Sequence, residues 1–238
     1  MTTTAATLER PRAPSLPVVL CHPAWPLARG LGDSRTLYLA FKRSLDLLAS
    51  GVALLFLAPL FAVVAFLIKL EDGGPVFFAQ MRVGKGGRLF RFWKFRSMCV
   101  DAERKRAELK AQLAECGEDS VRFKMIGDPR ITSMGKFLRR FSMDELPQFF
   151  NVLRGDMSLV GPRPPLPEEV QQYGPRELRR LEVEQGLTCI WQVSGRSLIP
   201  FEGQVDLDIE YIETRSFLLD VKLLLKTVPA VLAGRGAY

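Results

Sequence analysis

Asp144 and Glu145 are adjacent carboxylates in the run Ser142-Met143-Asp144-Glu145-Leu146-Pro147, and basic residues recur on either side of them. Lys94 and Arg96 stand in KFRSM, Arg130 in DPRIT, Arg139 and Arg140 just before the acidic pair, Arg163 in GPRP and Arg196 in SGRS; Asp206, Asp208 and Glu210 follow. Singly, each charge reads as a solvated surface residue, and Ser142-x-x-Glu145 also fits a capping box at an ordinary helix start. Together, several fixed cations around two carboxylates suit phosphate chemistry. Arginine forks grip phosphoryl oxygens, and carboxylates hold Mg²⁺. Pro147 fits only the first turn of a helix, which places the helix start at about Met143–Leu146. There the free N–H groups and the helix dipole favour a charged carboxylate, and an aspartate held ionised could serve as a nucleophile or a metal ligand.

The composition removes other chemistries. The single histidine, His22, lies in a proline-rich leader, so a Ser-His-Asp triad, a His-ligated zinc and a His phosphocarrier are excluded as expectations. Cys21, Cys99, Cys116 and Cys189 are far apart and form no C-x-x-C; they read as reduced thiols facing a cytosol. The chain has 238 residues, a net charge of +7 and 47% hydrophobic residues. That is enough for one sizeable core, with a basic surface that favours an anionic partner such as nucleic acid, lipid headgroups or a phosphorylated substrate.

The elements that must position these residues are legible in outline. Residues 1–34 hold five of the sixteen prolines and read as a flexible leader. Leu47–Ile68 carries 22 residues without a charge, just long enough to cross a bilayer as a helix. Pro59, in the middle of that run, predicts a bend, which leaves two readings: a kinked transmembrane helix, or a re-entrant hairpin that returns to the face it entered. Residues 75–98 read as a β-hairpin around Gly84–Gly87, and 101–115 as an exposed charged helix. A short helix is expected over 144–154, a Gly/Pro-rich loop over Gly161–Pro167, a helix over 175–185 and an extended segment over Gly186–Gly195. Phe217–Leu232 is an apolar helix fit to pack on the body or to lie in a membrane interface.

Four stretches carry a specific likeness. PVFFAQMRVGKGGRLFRFWKFRSM, DPRITSMGKFLRRFSMDELPQFFNVLRGDMSLVGPRP, QGLTCIWQVSGRS and SFLLDVKLLLKT occur in this order between about residues 41 and 232. The chain thereby resembles the bacterial sugar transferase family, the monotopic polyprenyl-phosphate phosphoglycosyl transferases that initiate exopolysaccharide and O-antigen assembly. The resemblance implies a ping-pong reaction in which Asp144 attacks the β-phosphate of a UDP-sugar, expels UMP and carries a phosphosugar that polyprenyl (undecaprenyl) phosphate then accepts. Glu145 matches the family's partner carboxylate, associated with Mg²⁺. Lys94, Arg96 and Arg163 fall in motifs placed around the phosphates, and Arg196 and Asp208 in later site motifs. Larger family members add an N-terminal bundle of membrane helices, in place of which residues 1–34 stand here.

A cytosolic nucleotide-sugar donor requires a cytosolic body. A full span would then put Lys42 and Arg43 outside, against the positive-inside tendency, so the re-entrant reading takes precedence, as the resemblance also implies. The break is Ala58-Pro59 where the family commonly has Ser-Pro. The expected fold is α+β and mainly helical: a leader (1–34), a re-entrant membrane helix-hairpin (35–72), and a small catalytic domain with a β-hairpin and interfacial amphipathic helices (73–238). The expected partners are a UDP-hexose, polyprenyl phosphate and membrane lipid, with no nucleic acid and with room for a homodimer, on the cytoplasmic face of a bacterial inner membrane. Arg122-Phe123-Lys124-Met125 leans towards glucose or galactose. Two rival readings are a membrane-anchored nucleic-acid or adaptor protein, and a phosphatase or nucleotidyltransferase using the same metal site.

Overall fold

The computed structural model describes residues 33–105 and 128–233. Nearly all of the leader, the Arg122–Met125 stretch, Cys21, Cys116 and most of the helix expected over 101–115 lie outside the described residues. The uncharged run belongs to one helix, α1 (Asp33–Asp72), which continues through Pro59. A short linker leads to the hairpin: β1 (Phe77–Val83) pairs antiparallel with β2 (Leu89–Phe95), from Phe77↔Phe95 to Val83↔Leu89. Its turn uses Gly86 and Gly87 at φ 63° and 82°, a left-handed conformation that glycine adopts without a steric penalty.

The remaining elements are short until the C-terminal third. α2 (Ser133–Arg140) starts at Thr132, whose hydroxyl accepts from the Gly135 N–H at 3.0 Å. α3 (Gln148–Arg154) is stopped by Gly155 at φ 88°. β3 (Ser158–Val160) runs parallel to β4 (Gly186–Thr188), and α4 (Phe201–Thr214) and α5 (Phe217–Ala233) close the described chain. The fold is mainly helical with two small sheets, as expected for its class.

Two local expectations need correction. The helix expected over 175–185 covers only Pro175–Leu178 and a tight turn at Arg179–Leu181. The Gln185 side-chain amide donates to the carbonyls of Arg180 and Val183, which a longer helix would need for itself. The extended segment expected over 186–195 ends at Thr188, because β3 has three residues and offers no further partner; Ile190–Ser194 is helical instead.

Packing explains how α1 meets the rest. Near its N-terminus Lys42 donates to the Val160 carbonyl (2.8 Å), Asp220 (2.9 Å) and the Tyr211 hydroxyl (3.2 Å). Arg43 takes the carbonyls of Val152 and Leu153 at 2.7 and 2.8 Å, at the C-terminal end of α3, where a cation also suits the helix dipole. Asp46 accepts from the Leu159 N–H and the Ser158 hydroxyl. Near its C-terminus Val64 and Ile68 are buried with Phe95 and Leu138, and Asp72 pairs with Arg96. Between these anchored ends one face still packs on the body, through Ala49, Ser50 and Phe61, and the other is bare: Leu48, Leu55 and Phe56 are 70–77% exposed. A second cluster, Phe90, Phe92, Val152, Met157, Leu159, Val160, Tyr211, Ile212 and Leu223, joins hairpin, α3, β3, α4 and α5. The acidic pair lies on the chain between these two cores.

Candidate active site

Strand alternation places the first cation. Phe90, Phe92 and Lys94 are two residues apart on β2 and so share one face. The two phenylalanines are buried in the core, so Lys94 is carried inward with them, its Nζ 5.3 Å from the Phe92 ring centroid. The register sets Phe78, Gln80 and Arg82 of β1 opposite Lys94, Phe92 and Phe90 on that same face.

The acidic pair lies on a 3₁₀ turn, Met143–Glu145, ahead of α3, and Pro147 is the cap of that helix rather than a residue of its first turn. Ser142 takes the left-handed conformation (φ 54°) and its side chain makes no capping bond. The expected capping box is therefore absent, and a left-handed serine immediately before two carboxylates is local strain held in place by the surrounding packing. Met143 and Leu146 are partly buried against the Val64–Leu138 cluster of α1 and α2, which turns Asp144 and Glu145 towards Lys94.

The two carboxylates have different surroundings. Glu145 is held by three bonds: Lys94 Nζ to Oε1 at 2.7 Å, and the Arg163 fork to Oε1 and Oε2 at 2.6 and 3.3 Å. Burial opposes its charge, but Arg163 and Lys94 outweigh that and hold it well below the usual carboxylate range. Asp144 is 6% exposed and accepts no hydrogen bond from the described residues; its nearest cation is Lys94, 3.9 Å from Oδ2. Burial pushes its pKa up, opposed by Lys94 and reinforced by Glu145. The expectation that a helix start would hold Asp144 ionised is thus corrected. Its charge depends on Lys94, and its oxygens are left uncommitted, as a nucleophile requires.

Three further cations complete the surroundings. Arg139 donates to the Ser97 hydroxyl at 2.9 Å and its charge favours ionised Asp144. Arg196, at φ 52° in the Gly195–Leu198 turn, lies in the field of Glu145 and Arg163. Arg82, a residue that motif reading passed over, donates from Nη1 to the Pro164 carbonyl at 3.0 Å and packs over Phe92. Burial, with Arg163 nearby, lowers its pKa to about 10, so it stays protonated at neutral pH. Five cations thus surround two carboxylates, an excess of three positive charges in a poorly solvated place, which suits a multiply charged phosphate ligand.

The other residues from the sequence lie apart from this cluster. Arg96 is paired to Asp72 at the end of α1 and packs against Gly74. Asp208 is bonded to Arg180 at 2.8 Å, which also donates to Tyr173, in a buried group under α4; burial raises the Asp208 pKa to about 6. Arg130 pairs with Asp128, Asp206 with Arg176, and Arg140 and Glu210 are exposed. Cys189 is a buried free thiol and Cys99 a half-buried one.

Among the described residues no three His, Cys, Asp or Glu side chains converge on a metal position. A carboxylate offers about four lone-pair positions, and Glu145 uses three. The donor set fits a Mg²⁺ ion that takes one or two protein carboxylate oxygens and completes its shell with substrate phosphates and water.

The chain is 47% identical over 203 residues to the galactosyl transferase CpsE of Streptococcus agalactiae serotype III, covering 84% of this chain and 44% of CpsE. It is 40% identical over 198 residues to the exopolysaccharide production protein ExoY of Sinorhizobium fredii (83% of this chain, 88% of ExoY). It is also 40% identical over 201 residues to the undecaprenyl-phosphate galactose phosphotransferase of Salmonella typhimurium (83% of this chain, 41% of that protein). The chain thus spans less than half the length of the first and third of these relatives and most of the second. Residues 37–234, which include most of α1, the hairpin, the acidic turn and the Gly161–Pro167 loop that carries Arg163, match the bacterial sugar transferase family, and the chain belongs to that family.

Proposed function

We propose that this protein moves a sugar 1-phosphate from a UDP-hexose to a polyprenyl phosphate, with Asp144 as the covalent carrier. The carrying observation is the contrast within the acidic pair: Glu145 is tied to Lys94 and Arg163, while Asp144 beside it is buried and accepts no hydrogen bond from the described residues. An Asp144 oxygen attacks the β-phosphorus, the bond from that phosphorus to the bridging oxygen breaks, and UMP leaves with the bond's electron pair. A phosphate oxygen of the polyprenyl phosphate then attacks the acyl phosphate, releasing the Asp144 carboxylate and forming a diphosphate. Lys94, Arg163 and Arg196 supply positive charge where the phosphoryl oxygens gather it, and Glu145 holds Lys94 and Arg163 in register. A Mg²⁺ bound through Glu145 would neutralise charge on the departing nucleotide. Relatives are named for galactose, N-acetylgalactosamine and glucose transfer, and the donor proposed here is a hexose of that kind. Purified protein incubated with undecaprenyl phosphate and a panel of UDP-sugars should release UMP with one of them. Release of inorganic phosphate in place of UMP would overturn the reading in favour of a phosphatase.

The titration of Asp144 gives a signed test. The first half-reaction needs the ionised carboxylate, so its rate rises with pH through the Asp144 pKa, which burial raises and Lys94 lowers. Lys94→Met should move the acid limb of kcat/KM to higher pH. A limb that stays in place or moves down would remove Lys94 from the control of Asp144.

The topology supports a site at a membrane surface. Lys42 and Arg43 at one end of α1 and Ile68 and Asp72 at the other contact the same catalytic body, whereas a crossing helix would carry one end to the far side. With the exposed apolar middle of α1 in a single leaflet, both ends stay on the cytoplasmic face of the inner membrane, and Pro59 permits the bend this needs. Pro59→Leu removes that permission over a helical run of about 33 Å and should favour spanning. The variant is expected to expose its leader to an impermeant thiol reagent outside intact cells, with Cys21 replaced and a reporter cysteine placed in the leader, and to lose activity. External labelling of the same site in the otherwise unaltered protein would overturn the re-entrant arrangement.

A further inference from the structure

The loop that carries Arg163 has an unusual backbone. From Gly161 to Pro167 it reads Gly-Pro-Arg-Pro-Pro-Leu-Pro, so only Gly161, Arg163 and Leu166 possess an N–H. Such a loop has few donors with which to fix itself, and its carbonyls are instead held from outside. The Gly186 N–H donates to Pro162 (2.8 Å), the Val83 N–H to Pro165 (3.0 Å), and Arg82 Nη1 to Pro164 (3.0 Å). The last of these bonds is adjacent to Arg163, and it is the one of the three made by a side chain. Arg82 is itself fixed by Gln80, whose Oε1 accepts from Nη2 at 3.0 Å, and by the Phe92 ring, 5.4 Å away. Its Nε is buried without a partner. A buried cation set behind a second cation is electrostatically costly, and a merely structural peg would more cheaply be neutral. The same hairpin face presents Lys94 four residues from its C-terminal partner of the Arg82 pair, Phe90, so one rigid element sets both groups that hold Glu145: Lys94 directly, Arg163 through Arg82.

We infer that Arg82 is a positioning residue for the phosphoryl-transfer reaction, fixing the aim of the Arg163 fork through the Pro164 carbonyl. The inference rests on the proposed activity. Displacing a binding group by about 1 Å can cost a hundredfold. Arg82→Met keeps the packing on Phe92 and removes the donor, while Arg82→Lys keeps a donor and the charge. Arg82→Met should lower kcat/KM for UMP release about tenfold to hundredfold, with Arg82→Lys recovering part of it. In an Arg163→Lys background, where no fork remains to aim, the same change should cost less than about threefold. Equal losses in both backgrounds, or equal losses for Met and Lys, would make Arg82 an independent structural or charge contributor. A second measurement needs no turnover: hydrogen exchange at the Gly161 and Leu166 amides of the full-length protein, which donate to the Thr188 carbonyl and to Glu169, should quicken at least tenfold in Arg82→Met, relative to the amides of α2. Unchanged exchange at those amides would overturn the inference whatever the activity of the protein. Absence of UMP release by the unaltered protein, with quickened exchange, would instead overturn the proposed function and leave Arg82 as the peg of that loop.

Discussion

Asp144→Asn is expected to abolish sugar-phosphate transfer, with a loss on the order of 10⁴-fold or more, while the protein stays folded. The amide is close to isosteric with the carboxylate but has no anionic oxygen and is a far poorer nucleophile, so no acyl phosphate forms. The fold should tolerate the change because Asp144 accepts no hydrogen bond from the described residues and its buried charge is opposed by desolvation. Removing an unfavourably buried charge leaves stability unchanged or slightly raised. Two measurements check this: UMP release, and a melting temperature no lower than that of the unaltered protein. Mass spectrometry after brief exposure to the UDP-sugar should find a phosphosugar on Asp144. Its appearance on another residue would sink the assignment.

Glu145→Gln should cost about 10²–10³-fold, by a different route. The glutamine keeps one accepting oxygen but carries no charge, so the half-buried Lys94 and Arg163 lose the anion that holds them. Added Mg²⁺ should not fully restore the rate, since it replaces neither the two ion pairs nor their geometry. The pH profile separates this role from that of Lys94. Glu145 raises the Asp144 pKa through like-charge repulsion, so its neutralisation should move the residual acid limb to lower pH, opposite to the shift expected for Lys94→Met. A shift in the same direction for both variants would mean that the limb does not report Asp144.

Much of the site was readable from residue types in order. Lys94, Asp144, Glu145 and Arg163 come together, although 69 residues separate the first from the last, because each sits in a run whose composition is itself diagnostic. Arg82 was missed although its signal was present: in a hairpin of known register, the residue opposite Phe90 must share the face of Lys94. The motifs place Arg96 near the phosphates and Asp208 in a later part of the site, and the structure pairs these two residues with Asp72 and Arg180. A motif fixes which residue occurs and says nothing about which opposite charge folds against it.

The sequence by itself determined the hairpin, the apolar helix and its proline, the lack of histidine chemistry, and the pairing of two carboxylates with an excess of cations. All of these follow from local composition and period, which need no knowledge of distant chain. The tertiary structure decided the rest. The acidic pair occupies a 3₁₀ turn outside α3, because Met143 and Leu146 are drawn into the core against α1 and α2. That displacement takes Asp144 away from the stabilising end of a helix and leaves its charge to Lys94, so that one carboxylate of two identical-looking neighbours is locked and the other is left open. Both ends of α1 return to one body through Lys42, Arg43, Ile68 and Asp72, which meet Asp220, Val152, Phe95 and Arg96, between 24 and 178 positions away in the chain. Such contacts depend on which surfaces meet when the chain closes, and no window of sequence contains that information.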